Sequence, residues 1–424
     1  MVFRHGRRRF PVANMEGLAW YGVRPPPAAA IRSVKEAIRC HNGVFHVSNH
    51  GFACTAELIA ASKAFFDQPA ASKWACAVGD MDRSRGWEMY PQHMRYHTAT
   101  VRRNTLYGGK SHSEPSAVEG ILCERFVCGP PSICNKDWPV RRPFQAFYDS
   151  DWARVFYERN VWPTADGIQD IPGPSLRSSM EGAYPQLESV ALASLQLVAA
   201  ALGVPHTALD TLVARASREH PEAPLRHHSR LQINNYPSIV HVGHRPPPIR
   251  ASRHFDTSML TVLSREPRVD SEASAGSSGA LEVYDHAEER WVCVPARDGE
   301  LTVFLGNLIG LLTGFRLRGT THRVSNPVPS AASDSRRLSI GFNLKPDYTA
   351  PATVPPAVRE AMPWLPRVPD GDVPMIGLVG RVGWQNHAMM TQGLTRLQAV
   401  SSFKSWKNHT VARLRAQVGE AVVY

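Results

Sequence analysis

LQINNY (231–236), HFDTSMLTVL (254–263), ALEVYD (280–285), WVCVP (291–295), LTVFLG (301–306), HRVS (322–325) and RLSIGFNL (337–344) follow one another with turn residues between them. Each stretch is rich in β-branched, aromatic and leucine residues and short enough to be a strand. Strands this frequent, after a more helical N-terminal part, predict an antiparallel β-sandwich or barrel core flanked by helices. Two segments interrupt the run: Arg265–Gly279, ending SEASAGSSG, and Pro327–Ser335, PVPSAASDS. Their linker composition predicts surface loops.

Upstream of this core the pattern predicts a short strand at Phe10–Met15, a helix over Ile31–Arg39, a strand at Gly43–Val47 and a helix over Thr55–Asp67. Residues 80–145, rich in Arg, Gly, Pro and Ser, read as extended loop with short strands. The clearest helix runs from Leu187 to Leu202 and is stopped by Gly203 and Pro205. Downstream the chain is Pro-rich to about Pro374 and then carries an amphipathic helix over Thr395–Ala416. The expected organisation is therefore a helical and strand region at 1–230, the β core at 231–346 and a helical C-terminal extension at 347–424.

The 424 residues, 43% hydrophobic and 20% charged, are enough for a full core and exclude a collagenous or globally disordered chain. No stretch reaches the roughly 18 to 20 uncharged apolar residues of a membrane span; the longest, Leu301–Phe315, is broken by Gly306, Asn307, Gly310 and Gly314. Net charge is +11, yet residues 1–50 hold eight basic and two acidic groups and residues 384–424 hold five and one. The middle is nearly balanced, so no nucleic-acid partner is expected. Seven cysteines without a CxxC pair indicate a reducing compartment. Cys123, Cys128 and Cys134 fit no standard zinc spacing and read as buried thiols. The expected location is cytoplasmic, with a mitochondrial address as the alternative because MVFRHGRRRF is basic.

His254-Phe255-Asp256 carries the chemistry. Residues i and i+2 of a strand share a face, so imidazole and carboxylate can converge. His322 lies on a later strand of the same core, and two His with one carboxylate form the facial triad of non-haem Fe(II). Arg337 and Ser339 share a strand face and can present a guanidinium and a hydroxyl to one carboxylate. His41, His46 and His50, and His241 with His244, have metal-like spacing but read as structural or surface histidines.

With HxD, H and RxS in that order, the sequence resembles the isopenicillin N synthase-like branch of the Fe(II)/2-oxoglutarate-dependent oxygenases. The likeness extends from about residue 10 to 346: Phe10-Pro11-Val12, FHVSNHGF (45–52), Ala64–Pro69 with Lys73, Arg85-Gly86-Trp87, NVWP (160–163), INNYP (233–237), Gly279–Val283, the Trp291, Pro295, Gly299 rhythm, and THRVSNP (321–327). The resemblance implies a mixed α and β fold, a double-stranded β-helix (jelly-roll) core with supporting N-terminal helices. It implies His254, Asp256 and His322 as Fe(II) ligands. It further implies that Arg337 and Ser339, helped by Asn234 and Tyr236, hold 2-oxoglutarate. O₂ would be the co-reactant, with ascorbate as a further reductant. The expected activity is oxidation, by default hydroxylation, of a small-molecule substrate. Two alternatives are a 2-oxoglutarate-independent Fe(II) oxidase of the isopenicillin N synthase type and a non-catalytic binding protein on the same scaffold. The chain would act as a monomer or as a homo-oligomer joined through its C-terminal helix. Asn235 and Asn307 depart from the family pattern, the latter expected to affect a turn and not the iron. Residues 231–345 hold 13 basic and 11 acidic groups, of which only Arg337 among the bases has an assigned role.

Overall fold

A computed structural model describes residues 10–18, 25–53, 55–69, 72–73, 75–76, 85–90, 123–134, 160–163, 175–213, 227–237, 249–266, 281–312, 317–325, 336–347 and 355–361. Two sheets dominate them. The larger has strand order β1 (Val12–Asn14), β2 (Val44–Ser48), β10 (Leu301–Leu305), β7 (Leu260–Arg265), β12 (Arg337–Leu344), β5 (Arg230–Tyr236), β4 (Cys123–Cys128) and β3 (Gly86–Tyr90). The smaller has order β6 (Ile249–His254), β11 (His322–Ser325), β8 (Leu281–Asp285) and β9 (Arg290–Cys293). From β5 onward the chain passes back and forth between the two sheets, with antiparallel pairing throughout. This is the double-stranded β-helix expected from the sequence.

The helices back the larger sheet. α1 (Ala28–Cys40) and α2 (Thr55–Phe66) pack on α3 (Leu176–Ala201), and α3 packs on β7 and β12. Ser175 caps α3 by accepting from the Ser178 backbone N–H at 3.1 Å, which satisfies one of the donors a helix leaves open at its start. Tyr184 ties helix to sheet: its ring meets Phe342 edge-on at 5.1 Å and its hydroxyl donates to the Ser229 carbonyl at 3.2 Å. Leu187, Leu192, Leu195 and Val198 of the same helix are also buried. Burying each such side chain is worth about 1.5 to 3 kcal/mol, which fixes α3 between the other helices and the sheet.

The sequence reading places the start of this helix at Leu187, eleven residues late. Pro185 and Gly182 suggest a break, but Pro185 lies inside α3 and the helix continues through it. The stretch 254–263 is also not one strand. β6 ends at His254, the chain crosses between sheets, and β7 begins at Leu260, so Asp256 lies on the connection rather than on a strand face. The run from Leu301 divides likewise into β10 and a short helix at Asn307–Leu312. The region 80–145 supplies β3 and β4, which extend the main sheet beyond β5. The Thr395–Ala416 helix falls outside the described residues; a six-residue helix at Pro356–Ala361 is described beyond the core. No described helix is long and apolar enough to cross a membrane.

His46 on β2 is fully buried, with its Nδ1 3.4 Å from Thr302 Oγ1. Burial, then the charges of Arg265 and Arg297, pull its pKa down from 6.5 to about 3. The unfolded chain therefore takes up a proton that the folded chain refuses between these values. This contribution to stability is present above pH 6.5 and is lost as the pH falls toward 3. Urea titrations at pH 7 and pH 5 should show a stability loss that is smaller in His46→Leu, whatever that variant's absolute stability. An equal slope in both proteins would exclude the assignment.

Candidate metal and cosubstrate site

Two strand ends and one connection bring the triad together. His254 closes β6 and is the direct cross-strand partner of His322, which opens β11. Their rings lie 4.2 Å apart between centroids, and Phe304 packs against the His322 ring at 4.7 Å. Asp256 Oδ1 is 3.8 Å from His254 Nε2 and 3.9 Å from His322 Nε2. One ligand atom from each residue lies within 4.8 Å of the others, the one such group of three among the described residues.

Neighbouring groups aim these atoms. His322 Nδ1 is 3.0 Å from the Thr320 carbonyl, which can only accept, so Nδ1 carries the proton and Nε2 offers its lone pair. Burial, then the neighbouring His254, pulls the His322 pKa down to about 4, so the ring is neutral as a ligand must be. Asp256 Oδ2 accepts from Thr261 Oγ1 at 2.5 Å and from Asn343 Nδ2 at 3.2 Å, which leaves Oδ1 turned to the two imidazoles. Burial alone would raise the Asp256 pKa, but His322, His254 and the Thr261 hydroxyl outweigh it and hold the carboxylate ionised. Two imidazoles and one carboxylate, with His322 and Asp256 oriented by outer partners, suit a divalent iron.

The connection itself is backed by a tight turn. Asn307 N–H donates to the Asp256 carbonyl at 2.9 Å, and Leu308 N–H to that of Ser258 at 3.2 Å. A Cβ at Gly306 would come within 1.9 Å of the Ser258 oxygen, so only glycine allows this approach. Asn307 thus acts through its backbone on the segment that carries Asp256, in line with its expected influence on a turn.

A cavity of about 350 Å³ opens between the sheets. Its wall includes the triad and, further along the main sheet, Arg337, Ser339, Asn234 and Tyr236. Arg337 pairs with Tyr236 across β12 and β5, and Ser339 with Asn234. Asn234 Nδ2 donates to Ser339 Oγ at 3.2 Å and its Oδ1 accepts from Gln232 at 2.7 Å. Asn234 therefore positions Ser339, whose own O–H remains to donate into the cavity. Burial keeps the Tyr236 hydroxyl protonated, its pKa pushed well above the usual phenol value.

Residues 228–346 match the family described as the 2OG-Fe(II) oxygenase superfamily. These residues form a domain of this superfamily. The chain is a 2-oxoglutarate-dependent oxygenase that works with Fe(II), 2-oxoglutarate and O₂. Among the curated relatives of this oxygenase is the 2-oxoglutarate-dependent dioxygenase caaD of Aspergillus niger, 23% identical over 288 residues, covering 67% of this chain and 70% of the relative. Another is validamycin A dioxygenase of Streptomyces hygroscopicus subsp. limoneus, 26% identical over 327 residues and covering 76% and 73%. A full-length Neurospora crassa protein, solved in complex with alpha-KG, shares the fold with a TM-score of 0.61 at 16% identity, covering 88% of this oxygenase and 95% of that chain.

Other histidines singled out by spacing have separate structural partners. His50 Nε2 meets the Gly299 carbonyl at 3.2 Å and His41 Nε2 lies 3.7 Å from Glu36, while His46 sits in the core. His241 and His244 fall outside the described residues. Cys123, Cys128 and Cys134 are buried free thiols, and burial raises the pKa of Cys123 and Cys128 far above the usual value.

The charge of the cavity departs from the sequence expectation. Arg125, Arg230, Arg265, Arg337 and Lys345 all line it, against Asp256 as the sole carboxylate among the described lining residues. Overall charge balance in 231–345 hides this, because Arg125 and Arg230 lie outside that segment and, of its described acids, only Asp256 is on the wall. Sequence reasoning also missed Thr261, Asn343 and Thr320. The strand period was the available signal: Arg337 and Ser339 continue at two-residue steps to Gly341, Asn343 and Lys345, all on the cavity wall. Replacing Asn343 by Leu, or Thr261 by Val, should weaken metal binding by about 10- to 100-fold with the three ligands intact. Competitive titration with a chelator checks this, and unchanged affinity in both variants would exclude the orienting role.

Proposed function

We propose that this oxygenase hydroxylates a small organic molecule, with His254, Asp256 and His322 holding Fe(II) and with Arg337, Ser339 and Tyr236 receiving 2-oxoglutarate. One observation carries the reading: three convergent ligand atoms and a carboxylate clamp share the wall of a single cavity. Bound Fe(II) supplies the redox chemistry by which O₂, 2-oxoglutarate and a C–H bond become succinate, CO₂ and an alcohol.

The chain's own residues do the rest. Thr320 fixes the His322 tautomer, and Thr261 and Asn343 fix the free oxygen of Asp256. Arg337 offers a planar cation to the far carboxylate, and the Ser339 and Tyr236 hydroxyls can donate to the same group. The cavity volume suits a cosubstrate with a small partner and is far too small for a folded macromolecule.

The test is succinate formation by purified protein. Turnover should require both Fe(II) and 2-oxoglutarate and disappear in His254→Ala. Substrate oxidation that proceeds without 2-oxoglutarate would instead favour an oxidase that draws all its electrons from substrate.

A further inference from the structure

We infer that the substrate carries an anionic oxygen group, a carboxylate or a phosphate, received by Arg230 and Lys345 at the end of the cavity opposite Arg337. This rests on the proposed oxygenase reading and adds the chemical class of its substrate.

The placement follows from register. β12 turns Arg337, Ser339, Gly341 and Asn343 toward the cavity, and Lys345 follows the strand on the same wall. β5 lies alongside, with Tyr236 opposite Arg337, Asn234 opposite Ser339, Gln232 opposite Gly341 and Arg230 opposite Asn343. At about 3.3 Å per residue, Lys345 lies roughly 26 Å along the backbone from Arg337. Asn343, which touches Asp256, marks the level of the triad. Arg230 and Lys345 are therefore beside the metal ligands and remote from the cosubstrate clamp.

Lys345 is badly matched to its surroundings unless an anion joins it. It is 7% exposed, and its ammonium donates to Thr257 Oγ1 at 3.3 Å and to no carboxylate among the described residues. Burial, then the charges of Arg230 and Arg85, pull its pKa well below the usual lysine value, so the charged form is disfavoured until an anion joins it. Like charges gathered out of water cost free energy that a bound counter-ion recovers. Asp256 is the near carboxylate, but its free oxygen belongs to the metal.

Two other cations of the wall are held by groups away from this end. Arg125 pairs with Glu88, and Arg265 donates to the Val294 and Pro295 carbonyls and to Thr302. Iron and a doubly negative cosubstrate, added to Asp256, still leave the lining with a positive excess. A neutral substrate would leave that excess in place, and a cationic one would add to it. A carboxylate or phosphate between Arg230 and Lys345 offsets it and anchors the substrate next to the ligands.

The experiment uses full-length protein loaded with Mn(II), which prevents turnover, and saturated with 2-oxoglutarate. Isothermal titration then compares benzoate, phenyl phosphate and the neutral benzamide. At least one anion should bind tenfold or more tightly than benzamide, and the better of the two identifies carboxylate or phosphate as the preferred group. Lys345→Met should cut this preference below threefold and Lys345→Arg should restore it. Arg230→Gln provides the same reading if Lys345→Met does not fold. Equal binding of benzamide, binding of neither anion, or an undiminished preference in the variants would overturn the proposal. Wild-type protein that takes up Mn(II) but not 2-oxoglutarate would instead bring down the oxygenase assignment of these residues on which it rests.

Discussion

Asp256→Asn protein should lose iron on gel filtration and form succinate only at background level. Among the described residues Asp256 is the sole carboxylate lining the cavity, beside two imidazoles and five cationic side chains. With it ionised, a divalent cation meets one negative ligand; with the amide it meets none, in a wall that repels it. The asparagine keeps the shape and can still accept from Thr261, so the variant isolates charge from packing. The loss should exceed the roughly 10- to 100-fold that outer partners such as Asn343 are worth, because it removes a ligand and not its orientation. Metal content by emission spectroscopy and succinate by chromatography provide two readouts. A variant that retains iron and turns over 2-oxoglutarate at the wild-type rate would remove Asp256 from the metal site.

The jelly roll was legible because strand texture is local. The stretches beginning LQINNY, LTVFLG and RLSIGFNL each form a strand close to where their residues place it. The triad was legible because its residues come in a recognisable order, although the strand-face argument for His254 and Asp256 does not hold. They converge because the chain leaves the small sheet just after His254 and Gly306 lets the following connection press against the turn after β10. That contact joins residues 258 and 306, and no local pattern encodes it. The start of α3 was lost for a related reason. Pro185 weakens the local helical signal, while burial of Met180, Ala183 and Tyr184 stabilises the helix through tertiary contacts that the sequence does not display. Cavity charge was obscured by counting: 13 bases and 11 acids look balanced until alternate residues of β5 and β12 are assigned to one face.

Arg337→Met should raise the 2-oxoglutarate dissociation constant by roughly 150-fold, the equivalent of about 3 kcal/mol for removing one partner of a buried charge pair. Arg337→Lys should fall between the two, since an ammonium keeps the charge but cannot form two parallel hydrogen bonds to a carboxylate. The cavity contains a second guanidinium near by, and it decides how strict the test is. Arg265 also lines the wall, and burial, then the charge of Arg337, pull its pKa down to about 9. Three of its five donors are engaged, however: Nη1 on the Val294 carbonyl, Nη2 on the Pro295 carbonyl and Thr302. To turn toward the cosubstrate it would have to give up these contacts. Arg265 contributes field without contact, so it cannot replace Arg337 and the loss in Arg337→Met should be nearly complete. Titration of 2-oxoglutarate into metal-loaded protein measures this. An affinity within threefold of wild type would show that the clamp lies elsewhere on the wall, with Arg265 the first residue to substitute next.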